Sequence, residues 1–196
     1  MQSSKGDEMN WLFTIVRVAG ASFPATASLV QLQSELGANA LSERIRKWED
    51  PISFLHEDVP ELSKHLYAEL KNRNQINVNF DDEFYTRFSR AFAALDASRL
   101  IECKYKLGRH LPFGISVADP SYIMYLCALF ENNAKMETLV KRVEECKIGQ
   151  WIEGRKIAEE IQLPLPVVAA CLQIYESKGY GMCSKEIGAV NYCGNA

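Results

Sequence analysis

The stretch Gln162-Leu163-Pro164-Leu165-Pro166 sets two prolines two residues apart between runs of helix-forming sequence. Proline donates no backbone hydrogen bond and pushes its predecessor out of the helical region, so no helix continues through this point. Residues 154–181 must therefore form two helices about a tight turn. The first covers 155–161; the second follows Pro166, which fixes its first turn, and ends at a glycine. Upstream, "KMETLVKRVEEC" places Met136, Leu139, Val140 and Val143 on one face, and "QWIEG" suits a short strand. Downstream, "GMCSKEIGAVNYC" suits two strands about a turn at Ile187-Gly188. The last third of the chain thus reads helix, strand, helix, helix, strand, strand.

The middle of the chain repeats part of this order. "DVPELSKHLYAELKNRN" has Asp58 as cap, Pro60 in the first turn and Leu62, Leu66 and Leu70 on one side; "INVNF" alternates like a strand. "DDEFYTRFSRAFAALDASRL" predicts one amphipathic helix, with Phe84, Phe88, Ala91, Phe92 and Leu95 inward and Arg87 and Arg90 outward. "LIECKYKLGRHLPFGISVA" predicts a hairpin with its tip at 108–114. "DPSYIMYLCALF" opens a helix at Asp119-Pro120 that is apolar all round, so it lies either at the centre of a core or in a subunit interface. At the N-terminus, residues 1–9 predict a disordered tail. "NWLFTIVRVAG" predicts a helix with Trp11, Leu12, Ile15 and Val18 on one side. Two short helices about Gly37 follow, the second carrying Leu41, Ile45 and Trp48.

These elements resemble the winged helix-turn-helix superfamily, in the layout of bacterial winged-helix transcription regulators. The resemblance covers 134–196 well and 58–125 less well, since no short helix is evident between "INVNF" and Asp81. It implies a mainly α chain with short β-hairpins, built of tandem helix-turn-helix and winged-helix modules: a tail (1–9), an N-terminal helix-turn-helix-like region (10–57), a middle module (58–130) and a C-terminal module (131–196). It further implies a DNA-binding regulator or accessory factor, with double-stranded DNA as partner; the apolar stretch Tyr122 to Phe130 predicts packing between modules or across the two-fold of a homodimer.

The charges decide how far that implication reaches. A net charge of −3 supplies no global attraction to nucleic acid, so local clusters must do so. In the N-terminal region Arg46 and Lys47, with Arg44 to one side, face outward, where they can reach bases or phosphates; an ordinary amphipathic helix with a Glu43–Lys47 pair is the competing reading. From Phe84 to His110 six cations stand against two acids. This marks Arg87 and Arg90, with a basic wing of Lys104, Lys106 and Arg109, as contacts to the phosphate backbone. Asp81, Asp82 and Glu83 just upstream oppose that role. The second helix of the C-terminal motif is expected to turn Val167, Val168, Cys171, Leu172 and Tyr175 inward and Ala169, Ala170, Gln173, Glu176 and Ser177 outward. With only Gln173 suited to a base edge, that face fits a protein partner better, and an interaction scaffold without DNA contact is the rival function.

Other classes find little support. No nucleophile elbow, metalloprotease helix, Walker loop or dinucleotide fingerprint occurs, so no catalytic residue and no cofactor is expected. His56 and His65 stand nine positions apart without a third ligand, and the six cysteines contain no C-x-x-C pair, so no metal is expected and the thiols suit a reducing cytoplasm. No apolar run approaches the length of a membrane span, and the first residues lack the features of a signal peptide.

Overall fold

A computed structural model describes residues 55–184 and 190–194. Arg44, Arg46 and Lys47, with nearly all of the expected N-terminal region and the turn at Ile187-Gly188, lie outside the described residues. The fold is mainly helical, with seven helices and two small antiparallel sheets of three strands each among the described residues.

Helix α1 (Val59–Arg73) buries Val59, Leu62, Leu66, Tyr67 and Leu70 as its apolar stripe requires. Asp58 stands at its N-cap, but the carboxylate lies beside His56 and does not cap a backbone N–H. The helix stops at Asn74, whose left-handed backbone (φ 54°) suits asparagine. Strand β1 (Asn77–Val78) follows, then α2 (Asp82–Arg87), α3 (Ser89–Ala97), β2 (Glu102–Lys104) and β3 (Gly114–Ser116). The single helix expected over 81–100 is thus two, broken at Phe88 (φ −98°, ψ 17°). The break seats the buried Phe88 ring against His65 and Phe84, and α2 supplies the short helix missing from the sequence reading. Strands pair in the order β1-β3-β2, with Val78 and Cys103 both opposite Ile115, so one face of the sheet turns its side chains to the core.

Helix α4 (Pro120–Phe130) is capped by Asp119, whose side chain accepts from the Tyr122 N–H at 2.7 Å. After the break at Asn132 come α5 (Asn133–Glu144), β4 (Trp151–Glu153), α6 (Gly154–Ile161), α7 (Leu165–Ser177), β5 (Gly181–Cys183) and β6 (Asn191–Gly194), with strand order β4-β6-β5. The second half therefore repeats the element order and the strand order of the first. Glycine is required at 181, where a Cβ would collide with the Tyr192 ring and the Cys193 carbonyl.

The two halves share one core. The all-round apolar character of α4 is accounted for within one chain: it packs along α7 on one side and α1 on the other, burying Tyr122, Ile123, Met124, Leu126, Cys127 and Ala128. Polar ties close the same junction. Glu131, just past α4 and nearly buried, accepts from Lys71 Nζ at 2.5 Å and lies 3.7 Å from Lys135 Nζ; Lys135 also donates to the Gln162 carbonyl at 3.0 Å. The Asn74 side-chain oxygen accepts from the Leu165 N–H at 2.6 Å, joining the end of α1 to the start of α7.

Two outcomes follow from this joint. Leu126→Ala should cost about 2–5 kcal/mol through the cavity it opens, and both halves should still unfold in one transition by calorimetry. Burial opposes ionisation of Glu131, but Lys71 and Lys135 outweigh it and hold the carboxyl below the usual glutamate range. Its stabilisation is therefore present at neutral pH and is lost as pH falls through that lowered value. Glu131→Gln should cost about 1–2 kcal/mol at pH 7, less than a fully buried pair because Lys71 is half exposed, and should flatten the acid limb of a denaturation series.

Candidate nucleic-acid and protein-contact surfaces

The cations of the first half lie around α2 and the β2–β3 loop, and most have protein partners. Arg87, in the last turn of α2, donates to Glu61 of α1 at 2.8 Å and lies over the Phe88 ring at 4.8 Å. Arg109, in the loop, pairs with Asp82 at the start of α2. Lys104 donates to the Asn77 side-chain oxygen at 2.8 Å, and the Lys106 ammonium stands 4.8 Å above the Phe113 ring. Arg90 is exposed at the start of α3 and has no ion pair among the described residues. The acids upstream are thus directly engaged: Asp82 neutralises Arg109, and Asp81 caps α2 by accepting from the Phe84 N–H at 2.8 Å. A phosphate reaching Arg87 or Arg109 has to displace a carboxylate. Besides Arg90, α3 exposes only Ser89, Ala93 and Ala97, a surface poor in base-reading groups.

In the second half α7 is covered on all but one face, where Gln173, Glu176 and Ser177 are exposed as expected. Val167, Val168, Cys171, Leu172 and Tyr175 face inward as expected, but Ala170 (1% exposed) and Ile174 are buried too. The expectation that Ala170 faces outward is corrected. A helix with a single buried face would expose Ala170, whereas α7 packs on its own half and on α4. Ala169 is half-buried, and Gln173 alone of the expected trio is exposed. Tyr175 is held from beneath, donating to Glu144 Oε1 at 3.1 Å.

Four of the six thiols are not poised for chemistry. Burial pushes Cys171 and Cys127 up to about 12, and burial together with Asp96 pushes Cys103 up to about 11, so these groups stay protonated at neutral pH. Burial and the Glu176 carboxylate raise Cys183 to about 12. Among the described residues no three His, Cys, Asp or Glu side chains are grouped so as to hold a metal ion, and no helix is long and apolar enough to cross a membrane.

One surface was missed in the sequence. Sheet register sets Trp151 and Met182 on either side of Cys193, all three on the face turned away from the core, while Ile152 and Tyr192 point inward. Trp151 is 53% and Met182 49% exposed, and Ile148, bridged to Gly194, is 72% exposed. The alternation in "QWIEG" was the available signal: with Ile152 inward, Trp151 must face out.

No known protein family, characterised protein or solved structure matches this chain.

The burial of α7 gives a direct contrast. Ala170→Arg places a charge and extra volume in the shared core and should cost at least about 3 kcal/mol, whereas Gln173→Arg, three residues on and exposed, should stay within about 0.5 kcal/mol. Thermal denaturation of the two variants reads the difference.

Proposed function

We propose that this chain is a non-enzymatic protein-interaction scaffold built of two winged-helix modules, and that it does not read DNA sequence. Both halves have the order helix, strand, helix, helix, strand, strand with the third strand in the middle of the sheet, and this order supports the winged-helix reading. Function in that layout depends on what the third helix of each module presents. The observation that carries the reading is what α7 leaves open: with α4 packed against it, its uncovered face is Gln173, Glu176 and Ser177 beside the half-buried Ala169, and it holds no cation. The first module supports it. Its third helix, α3, exposes a single cation, and Arg87 and Arg109 have carboxylate partners. Counterion release, the main source of DNA affinity, is small for cations already neutralised by the protein. The packing of α4 within one chain also removes the motive for a homodimer based on that helix.

A salt titration on random duplex DNA tests this reading. The expected binding is no tighter than the roughly 10⁻⁴–10⁻⁶ M of non-specific electrostatic contact. Nanomolar binding whose salt slope becomes shallower in Arg90→Ala, Lys106→Ala and Arg109→Ala would instead establish the DNA-binding regulator, with the first module as its reader.

A further inference from the structure

We infer that the β2–β3 loop docks on the surface of an anionic lipid membrane, with Leu107 inserted among the headgroups and the neighbouring cations against the lipid phosphates. Residues 105–110 are all exposed, and Leu107 is exposed completely. Its position is built. The Arg109 N–H donates to the Lys106 carbonyl at 3.1 Å and closes a turn whose third residue, Gly108, has φ 79°, which leaves Leu107 in the second position at the tip. Behind the turn, the buried Pro112 and the half-buried Leu111 fix the returning limb against the core, so the tip projects from an anchored base. A lone exposed leucine is ordinary on a protein surface; a leucine at the apex of a cationic loop is a narrower pattern.

Charge names the partner. From Cys103 to Ala118 the chain carries Lys104, Lys106, Arg109 and His110 and no acid. Around the base of the loop, Asp82 pairs with Arg109 and Asp96 accepts from the Cys103 N–H at 2.9 Å, which leaves the exposed Glu102 on β2. Lys104 and Lys106 have no carboxylate partner among the described residues. Tyr105 and Phe113 flank the mouth of the hairpin, where the Phe113 N–H donates to the Lys104 carbonyl at 2.8 Å, and the Lys106 ammonium lies over the Phe113 ring. An apolar tip above a collar of aromatic rings and long cationic side chains suits the headgroup layer, where rings and ammonium groups meet phosphate while the tip meets acyl chains. Other occupants fit less well. A nucleic-acid backbone satisfies the cations but leaves Leu107 in water unless a base step is unstacked to receive it. A folded protein buries about 800 Å² of its partner in a stable complex, more than a six-residue tip offers, whereas a lipid surface needs no matching shape. The contact is peripheral and calls for no spanning helix. It goes beyond the scaffold reading and does not depend on it.

Sedimentation of the full chain with vesicles of equal parts phosphatidylcholine and phosphatidylserine tests this. The protein should pellet at about millimolar lipid, weakly and reversibly, as one short apolar insertion with a few cations allows. Pure phosphatidylcholine vesicles should bind it about 25-fold less, since Lys104 and Lys106 each contribute about fivefold at an anionic surface, and Lys104→Gln/Lys106→Gln should lose the same factor on mixed vesicles. Leu107→Ser should weaken binding about tenfold. Leu107→Trp should keep it, and the added tryptophan, read as the difference from the unaltered chain, should shift its emission to the blue when vesicles are present. Leu107 is fully exposed, so neither substitution there should move the melting temperature. Lys104 is bonded to Asn77; if its replacement lowers the melting temperature, Lys106→Gln with Leu107→Ser takes its place. Absence of binding to mixed vesicles overturns the inference. So does equal binding to pure phosphatidylcholine, and so does binding that survives Leu107→Ser, which means that the cations hold any polyanion or that another part of the chain holds the vesicle. Duplex DNA bound more tightly than vesicles, with that binding lost in Leu107→Ser, means a wedge between base pairs and overturns it as well.

Discussion

The packing of α4 against α7 is the contact on which the remaining architecture rests. Each half, taken alone, has a three-stranded sheet of two- to four-residue strands and short helices, too little surface to bury a core of its own size. Placing an all-round apolar helix between them converts two marginal units into one body with a continuous core from Val59 to Tyr192. The cost is positional. One side of α7 is given over to holding the halves together, and only the face of Gln173, Glu176 and Ser177 stays open. Other surfaces stay open as well: the loop between β2 and β3, the exposed side of α3 and the outer face of the second sheet.

Electrostatics in the first half follows the same pattern of internal satisfaction. A count of charges along 84–110 suggests a basic stripe, but charge on a folded surface is set by neighbours in space. Glu61 arrives from α1 and Asp82 from the start of α2, and each meets an arginine of the stripe. What remains is a mixed surface on which Arg90, Arg99, Lys104 and Lys106 have no carboxylate partner among the described residues. Screening at physiological salt leaves little field from such a pattern beyond about 8 Å.

Local patterns were legible in the sequence wherever one residue type forces a conformation. Pro164 and Pro166 separated α6 from α7, Asp119-Pro120 opened α4, and the alternation around Val78 marked β1. The apolar circumference of α4 correctly left two options, core centre or interface, and it occupies the first. Features that depend on long-range contact were not legible. The bend at Phe88 has no proline or glycine to announce it and arises from packing against His65 and Phe84. The burial of Ala170 needed knowledge of which helix lies across α7, because a small neutral residue reads equally well as an exposed position or as a close helix contact. The Glu131 cluster joins residues sixty positions apart, beyond any local pattern.

That cluster has an evolutionary consequence. Glu131 lies between two lysines, and Lys135 has a second acceptor in the Gln162 carbonyl. Loss of either lysine leaves the carboxylate with the other, so the junction carries redundancy and each lysine position can drift while its counterpart is kept. Loss of the acid has no such cover, since two ammonium groups would then face each other across α1 and α5. Variation at 71 and 135 should therefore be mutually dependent, with 131 as the position that constrains both.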